Sequence, residues 1–372
     1  PEPSTEVGVS DGEISLGNVS TIGGPIPGFG QTGVNGVRAY VNYVNAELGG
    51  VCGRTIRLVE ADDALQASVN RSETQRLTGQ VLGFVGGTTV VDDGGAAVLQ
   101  DTNIPDSSLA IGSLRAALPN NFSPSPIPPG DSTNGTVALL RHFAQEYGVT
   151  SAGILVPNQP DAALRATGYA NDLRAAGITE VVRYPVEITE TNYIPTATDI
   201  KNRQLDLILT VHEVNGMARL AQALEQVGYR PPVPFWGAQA YGSQFLELAG
   251  SAAEGTILGL TFSIFEDAGQ NPAMARFLEW YERTNPGSDP DFFSIMTWAA
   301  ADMMISAIRQ AGPAPTRDSV LAAFQTMTSF DADGLLSPRN PVAKAVGDCF
   351  VVVTVEGGQW RRVAPPSGFI NC

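Results

Sequence analysis

The sequence contains very little histidine and cysteine. Among its 372 residues are two histidines, His142 and His212, and three cysteines, none of which form a C-x-x-C pair. A structural zinc site needs four closely placed cysteine or histidine ligands. We therefore expect no metal site in this chain.

The sequence also lacks a long hydrophobic run and an excess of basic residues. No stretch of about 18 apolar residues is present, so no segment is predicted to span a membrane. The formal net charge is −16, which disfavours nucleic acids and anionic membrane surfaces as partners. Lys201 and Lys344 are the only lysines beside many arginines, which we attribute to a coding bias.

The length and the hydrophobic content of 43% allow two domains, each with its own core. The chain starts at Pro1 rather than at a methionine, and residues 1–12 are polar and rich in proline. This pattern predicts a processed N-terminus with a short tether, as in a lipid-anchored secreted protein.

Strand and helix patterns alternate from the start of the chain. The strands are predicted at 14–19, 55–60 and 81–86, and the helices at 30–48, 66–78 and 94–100. Such alternation is typical of an α/β fold, with helices on both faces of a parallel sheet.

Residues 112–131 interrupt this alternation with five prolines and Asn120-Asn121, which predicts a segment that crosses between domains. A second alternating series occupies 132–262, with a helix at 132–147 and a buried strand at 205–211. Helices follow at 273–284, 292–310 and 317–325, and an antiparallel strand pair is predicted at 348–355 and 358–363. The pattern predicts two α/β lobes joined by several crossings.

Gly28, Gly30 and Gly33 match the dinucleotide-binding pattern G-x-G-x-x-G. In a dinucleotide site these glycines form the turn directly at the strand end. Here residues 20–27 intervene, and Pro25 and Pro27 stiffen them. We therefore expect no NAD(P) or other cofactor, and instead a loop whose amides face a polar ligand group. An NAD(P)-dependent enzyme is kept as a remote alternative.

Short polar side chains follow the predicted strands of both series. Because ligands bind at the carboxyl ends of strands in open α/β sheets, these residues are predicted to contact a small solute, with Phe29 adding an aromatic face. They are Thr88, Thr89 and Val90, Ser108, Asp161, His212 and Glu213, and Gln239. For His212 and Glu213 the alternative is an exposed loop.

Cys349 and Cys372 lie in a C-terminal segment that can fold back through Gly357-Gly358 and Pro365-Pro366. We predict a disulfide that clamps the C-terminus, which would imply an oxidising compartment. The alternative is a pair of unpaired, partly buried thiols. Cys52 is left without a predicted partner.

The ordered set of short motifs along the chain resembles the type I periplasmic binding proteins, especially the branch that binds branched-chain amino acids. The motifs lie at residues 14–17, 24–25, 29–30, 49–58, 61–63, 86–89, 103–105, 205–208 and 254–256. Each is weak alone, and their order and spacing carry the resemblance.

The resemblance implies two doubly wound, Rossmann-like lobes joined by three crossings, with a ligand cleft between the lobes. Lobe 1 would comprise 1–130 and 264–335, and lobe 2 would comprise 131–263 and 336–372. The family's contact positions fall on Phe29, Thr88 to Val90, Ser108, Ala110, Asp161, Glu213 and Gln239, with His212 adjacent.

The implied function is non-catalytic: a monomeric, extracytoplasmic solute-binding protein that closes on one small molecule and delivers it to the permease subunits of an ABC importer. A ligand-sensing receptor of the same fold is the alternative. Amino-acid binders usually carry tyrosines where Asp161 and Glu213 stand, and a glutamate where Gln239 stands. Two carboxylates favour a ligand with an ammonium or amidine group, while an amide, a urea-like compound, a polyamine or an aromatic acid stays open.

Overall fold

A computed structural model describes residues 2–25, 28–127 and 133–372. Several residues on which the sequence-based predictions depend lie outside the described residues. These are Pro1, Pro27 of the glycine-rich segment, and residues 128–132, which end the predicted crossing segment and begin a predicted helix.

The chain divides into two compact units. Unit 1 comprises residues 1–129 and 267–346, and unit 2 comprises residues 130–266 and 347–372. Residues 336–346 thus cluster with unit 1, whereas the resemblance assigns them to lobe 2. They remain there in part because Arg339, which is buried, donates a hydrogen bond to the carbonyl of Pro124.

The first part of unit 1 alternates strands and helices, which confirms the predicted α/β class. Its elements are β1 (Glu13–Ser20), α1 (Gln31–Glu47), β2 (Thr55–Asp62), α2 (Ala67–Thr78), β3 (Gly83–Val85), α3 (Asp93–Gln100), β4 (Asp106–Ser107) and α4 (Ser113–Ala117). The strands pair in parallel in the order β2-β1-β3-β4. β1 is buried from Ile14 to Ser20, as expected for an interior strand of a parallel sheet.

Unit 2 repeats this pattern. Its elements in chain order are α5 (Val137–Tyr147), β5 (Ser151–Pro157), α6 (Pro160–Ala175), β6 (Glu180–Val186), α7 (Ile194–Arg203), β7 (Leu207–Thr210), α8 (Val214–Gln226), β8 (Val233–Pro234), a 3₁₀ helix (Ala238–Ala240), α9 (Ser243–Ala249), a 3₁₀ helix (Gly250–Ala253) and β9 (Ile257–Leu260). The strands β6-β5-β7-β8 form a parallel sheet in that order. α7 was not predicted from the sequence, although its Pro195 fits the first turn of a helix.

The remaining chain adds helices to unit 1 and two strands to unit 2. After a 3₁₀ helix (Phe265–Gly269) come α10 (Pro272–Thr284), α11 (Phe292–Ala311), α12 (Arg317–Gln325), the hairpin of β10 (Arg339–Asn340) and β11 (Ala345–Val346), and then β12 (Val351–Glu356) and β13 (Gln359–Ala364). β12 and β13 pair antiparallel, as predicted, and β12 also pairs antiparallel with β9, which was not predicted.

α11 is buried along most of its length, and α1 and α12 pack against it. α1 lies against α11 through Gly33, Gly36 and Tyr40: Thr297 donates to the carbonyl of Gly33, a Cβ on Gly36 would lie 2.2 Å from the carbonyl oxygen of Ser294, and Tyr40 packs edge-on against Trp298. Among the described residues, no helix combines the length and the apolar character that crossing a membrane requires.

The N-terminal residues are bound to unit 1 and do not form a free tether. Arg54 is fully buried and donates hydrogen bonds to the carbonyls of Glu2, Ser10 and Pro313. The amide of Ser15 donates to the carbonyl of Gly8 at 2.7 Å. A buried guanidinium needs such acceptors. The N-terminal segment therefore supplies hydrogen-bond acceptors to the buried Arg54 of unit 1.

The predicted disulfide is confirmed. Cys349 and Cys372 are bonded, with their Cα atoms 5.2 Å apart. A bridge between Phe350 and Ile370 runs beside the bond, so the C-terminus is held against unit 2 by both covalent and backbone contacts. Cys52 is free and exposed.

Candidate functional site

In unit 1, the loop after β3 is held by hydrogen bonds to the end of β1. Thr88 is fully buried; its amide donates to Ser20 Oγ at 3.0 Å, and its carbonyl accepts from the amide of Thr21 at 3.1 Å. Its hydroxyl donates to the carbonyl of Gly86 at 3.2 Å. The backbone of this loop is therefore fixed before any ligand binds.

The hydroxyl of Thr89 belongs to a buried polar chain. Thr21 Oγ1 lies 2.7 Å from Asp63 Oδ1 and 2.8 Å from Thr89 Oγ1. A hydroxyl carries one proton, so Thr21 donates to the carboxylate and accepts from Thr89. Thr89 Oγ1 in turn accepts the amide of Val91 at 3.2 Å. Its proton is thus committed to the protein, and its next neighbour Val90 is half-buried.

The glycine-rich segment packs closely against the loop that carries Thr88. A Cβ on Gly30 would lie 2.5 Å from the carbonyl oxygen of Thr88, and one on Gly33 would lie 2.4 Å from Thr88 Oγ1. Gly28 has a φ of +82°, which favours glycine. Two of the glycines therefore allow α1 to approach Thr88 closely. Phe29 is half-buried between them and packs edge-on against Phe293 at 5.3 Å.

The loop after β4 carries Ser108 and Ala110 and depends on a buried ion pair. Arg115 donates Nε and Nη2 to the two carboxylate oxygens of Asp106 at 2.9 and 3.1 Å, and Nη2 also donates to Ser108 Oγ at 3.0 Å. Burial opposes ionisation of Asp106, but the charge and hydrogen bonds of Arg115 outweigh it and hold the pKa of Asp106 below its usual range. Ala110 is buried with a φ of +53°.

The two loops of unit 1 are joined through the start of α3. Asp92 Oδ1 accepts the amide of Gly112 at 2.7 Å, and Asp93 Oδ1 accepts the amides of Leu114 and Arg115. The amide of Leu109 also donates to the carbonyl of Gly87 at 3.1 Å. The structure therefore brings Phe29, Thr88 to Val90, Ser108 and Ala110 together at the carboxyl edge of this sheet.

In unit 2, Glu213 is the N-cap of α8. Its carboxylate accepts the amides of Asn215 and Gly216 at 2.7 and 2.8 Å and the side-chain amide of Asn215 at 2.6 Å. Burial would raise the pKa of Glu213, but hydrogen bonds from His212, Asn215 and Gly216 lower it to about 2. The carboxylate is thus ionised and caps the start of the helix, a role that no pattern in the sequence indicated.

His212 is buried beside this cap. Its Nδ1 accepts the amide of Glu213 at 3.0 Å, and its Nε2 lies 3.3 Å from Tyr193 Oη. Nδ1 also lies 3.4 Å from Glu213 Oε1, to which it donates when it carries a proton. The ring of His212 thus links Tyr193 to the start of α8.

Asp161 and Gln239 follow β5 and β8, two strands of the same sheet that lie on either side of β7. Asp161 lies in the first turn of α6, directly after β5, and is half-buried. Gln239 lies in the 3₁₀ helix after β8 and is also half-buried. The hydroxyl of Thr210 donates to the carbonyl of Trp236 at 2.7 Å, which ties the ends of β7 and β8 together. All four predicted residues of unit 2 thus lie at the carboxyl edge of its sheet.

Several buried polar residues that shape these loops were missed from the sequence. Asp106, Arg115 and Tyr193 support Ser108 and His212, yet nothing in their local pattern distinguishes them from surface residues. Thr21 had a signal, since it follows a strand end as Thr88 does. Among the described residues, no group of His, Cys, Asp and Glu is arranged to hold a metal ion.

Comparison with known proteins extends these observations. A family model described as periplasmic binding protein matches residues 13–359. The Leu/Ile/Val-binding protein BraC3 of Rhizobium johnstonii is 22% identical over 329 residues, covering 84% of this chain and 83% of that protein.

Solved structures share the fold. The leucine-binding protein LivK of Thermotoga maritima has a TM-score of 0.76 at 18% identity, covering 94% of this chain and 98% of that one. A fatty acid ABC transporter substrate-binding protein of Thermomonospora curvata has a TM-score of 0.79 at 20% identity, covering 99% and 94%. The names of both proteins describe them as binding proteins, one for leucine and the other for fatty acids.

Proposed function

The chain belongs to the periplasmic binding protein family, and from this premise we propose that it is the solute-binding component of an ABC importer. It binds one amino acid or similar small polar solute between its two lobes, closes by hinge motion, and delivers the solute to permease subunits. The family and the fold are those of binding proteins, and no catalytic role is proposed.

The observation that carries this proposal is the cluster at the carboxyl edge of the unit 1 sheet. Phe29, the Thr88 to Val90 loop and the Ser108 to Ala110 loop meet there, and both loops are held by buried hydrogen bonds. Such a preorganised set of polar groups beside one aromatic ring suits a small solute. From unit 2 we propose Asp161, His212, Glu213 and Gln239 as the opposing contacts.

The side chains indicate which groups are left for the solute. The hydroxyl of Thr89 donates to Thr21, and that of Ser108 accepts from Arg115 and hydrogen-bonds to Asp106, so we propose that the unit 1 loops contribute backbone amides more than side-chain donors. The proposed contacts of unit 2 include two carboxylates, which favours a solute with an ammonium or other donor-rich group at that end. The named ligands of the related proteins include leucine and fatty acids, so the solute class needs a direct test.

The family implies an extracytoplasmic location. The disulfide between Cys349 and Cys372 supports this, because structural disulfides persist in oxidising compartments. We further propose that the protein acts as a monomer and that a lipid anchor ahead of Glu2 would hold it at the membrane. A ligand-sensing receptor is the alternative function, and genes for permease and ATPase subunits beside this gene would exclude it.

The direct test is native mass spectrometry of the purified protein, followed by calorimetry with the compound found and with L-leucine. Phe29→Ala should weaken solute binding by about 1–3 kcal/mol, because the ring buries apolar solute surface. Leu48→Ala is the control. It truncates an exposed side chain just after the C-terminal end of α1, whereas Phe29 lies just before the N-terminal end of that helix.

The thermal midpoint of Phe29→Ala should stay close to that of the wild type, since the ring is only half-buried. Equal affinities of Phe29→Ala, Leu48→Ala and the wild type would remove Phe29 from the site. Saturable binding of a dinucleotide instead of a small solute would overturn the proposed function.

A further inference from the structure

Lys344 holds an unusual position for one of the two lysines in the chain. It lies between β10 and β11, just before the chain passes from unit 1 to unit 2. Its Nζ donates to the carbonyl of Ala116 and, at 2.9 Å each, to the carbonyls of Leu118 and Asn121. Burial lowers the pKa of Lys344 to about 8, with the charge of Asp106 acting in the opposite direction, so the ammonium is protonated at neutral pH.

The three carbonyls explain why this position is a lysine in a chain that otherwise uses arginine. They come from α4 and the turn after it, and Ala116 lies in the last turn of α4, where carbonyls lack intrahelical partners. A tetrahedral ammonium presents three N–H groups to three converging oxygens, whereas a guanidinium is a planar fork. The other lysine, Lys201, donates to a single carbonyl, that of Val227 at 2.6 Å.

The segment that Lys344 holds is bonded directly to the loop with Ser108. Asn121 Nδ2 donates to Asp106 Oδ2 at 3.0 Å and to the carbonyl of Ser108 at 3.3 Å. The backbone of Asp106 accepts the amide of Phe122 at 2.8 Å and donates to the carbonyl of Asn120 at 3.0 Å. Residues 120–122 thus lie beside β4 like a further strand.

We propose that Lys344 is a positioning residue for the loop of Ser108 and Ala110, which it holds through the carbonyl and side chain of Asn121. The proposal rests on the proposed function, because that loop is a proposed solute contact. Ala110 has a positive φ, which a non-glycine residue keeps only when its surroundings enforce it. Lys344, which lies just before the chain passes from unit 1 to unit 2, therefore shapes the proposed solute site without contacting the solute.

The test compares Lys344→Met with Lys201→Met, which makes the same substitution in unit 2. Lys344→Met removes all three donors and should weaken L-leucine binding roughly fivefold, as expected for one link in a coupled network. Amide hydrogen exchange at residues 108–112 should speed up at least about tenfold through local opening. Lys201→Met should leave both quantities within about twofold of the wild type.

Two further variants keep the test decisive if Lys344→Met folds poorly. Asn121→Ala retains the carbonyl contacts of Lys344 but removes the side-chain hydrogen bonds of Asn121 to Asp106 and Ser108, so it should reproduce the faster exchange and weaker binding. Lys344→Gln keeps two N–H donors and should recover part of both.

A lower thermal midpoint of Lys344→Met with wild-type exchange at 108–112 would overturn the positioning role. If the wild type binds no solute, the proposed function fails separately, and hydrogen exchange still decides the role of Lys344.

Discussion

Glu213 offers the sharpest test of the structural assignment, because its carboxylate can stabilise a helix, contact a solute, or do both. Glu213→Gln keeps the size of the side chain and removes its charge. In the structure, that charge is met by the amides of Asn215 and Gly216 at the start of α8. The variant should therefore be less stable at neutral pH even with no solute present.

The size and the pH dependence of this loss follow from the pKa of Glu213. A decrease from the ordinary value of 4.5 to about 2 corresponds to about 3 kcal/mol at most, and to about 2 kcal/mol after allowance for solvent screening of a partly exposed group. Because the pKa is lowered on folding, this stability is fully present above pH 4.5. It is lost as the pH falls through 4.5 towards 2.

The assay is urea unfolding of the wild type and of Glu213→Gln between pH 7 and pH 2.5. The difference in free energy of unfolding should be about 2 kcal/mol and constant above pH 5, and should shrink steadily below it. Glu225→Gln, on the exposed face of the same helix, is the control and should show no such difference. A difference that is absent at pH 7, or that does not change down to pH 2.5, would refute the assigned cap.

The same variant separates the cap from solute binding. If the carboxylate also contacts a cationic group of the solute, Glu213→Gln should weaken binding roughly tenfold or more, as for a hydrogen bond to a charged group. An unchanged dissociation constant beside a lower stability would assign Glu213 to the helix alone. A purely anionic bound solute would likewise exclude the cationic contact.

Further predictions concern the buried ion pair and the cysteines. Arg115→Met leaves Asp106 buried without its partner and should destabilise unit 1 by about 3–5 kcal/mol, measured by urea unfolding; a loss below about 1 kcal/mol would contradict the bidentate pair. In the native protein, a thiol-alkylating reagent should modify Cys52 and neither Cys349 nor Cys372, because Cys52 is free and exposed. Non-reducing peptide mapping that recovers free thiols at Cys349 and Cys372 would contradict the bond.

Local patterns predicted the parts of the fold that depend on neighbouring residues. Apolar spacing located α1, α10 and α11, because a helix buries one face of its own sequence. Apolar spacing did not reveal α7, whose proline in the first turn looks like the end of a helix. It also placed the start of the helix predicted at 132–147 before the observed start of α5 at Val137. Strand pairing across the chain was out of reach, as the antiparallel contact of β9 with β12 shows.

The location of the candidate site was predictable from the sequence, but the role of each residue in it was less so. Polar groups after strand ends were expected at one edge of each sheet, and the structure places them there. The hydroxyls of Thr89 and Ser108 look like solute donors in the sequence, yet Thr21 and Arg115 engage them. Gly30 and Gly33 match a nucleotide motif but serve close packing on Thr88.

The sequence by itself determined the α/β class, the family, the disulfide and the positions of the loops, because periodicity, motif order and cysteine spacing are written along the chain. Only the tertiary structure decided which partner each buried polar group has. Lys344 and Asn121 are more than two hundred residues apart in sequence, so no local pattern links them. A buried donor must find an acceptor wherever the packed chain brings one, and for Lys344 that requirement outweighs the preference for arginine elsewhere in the protein.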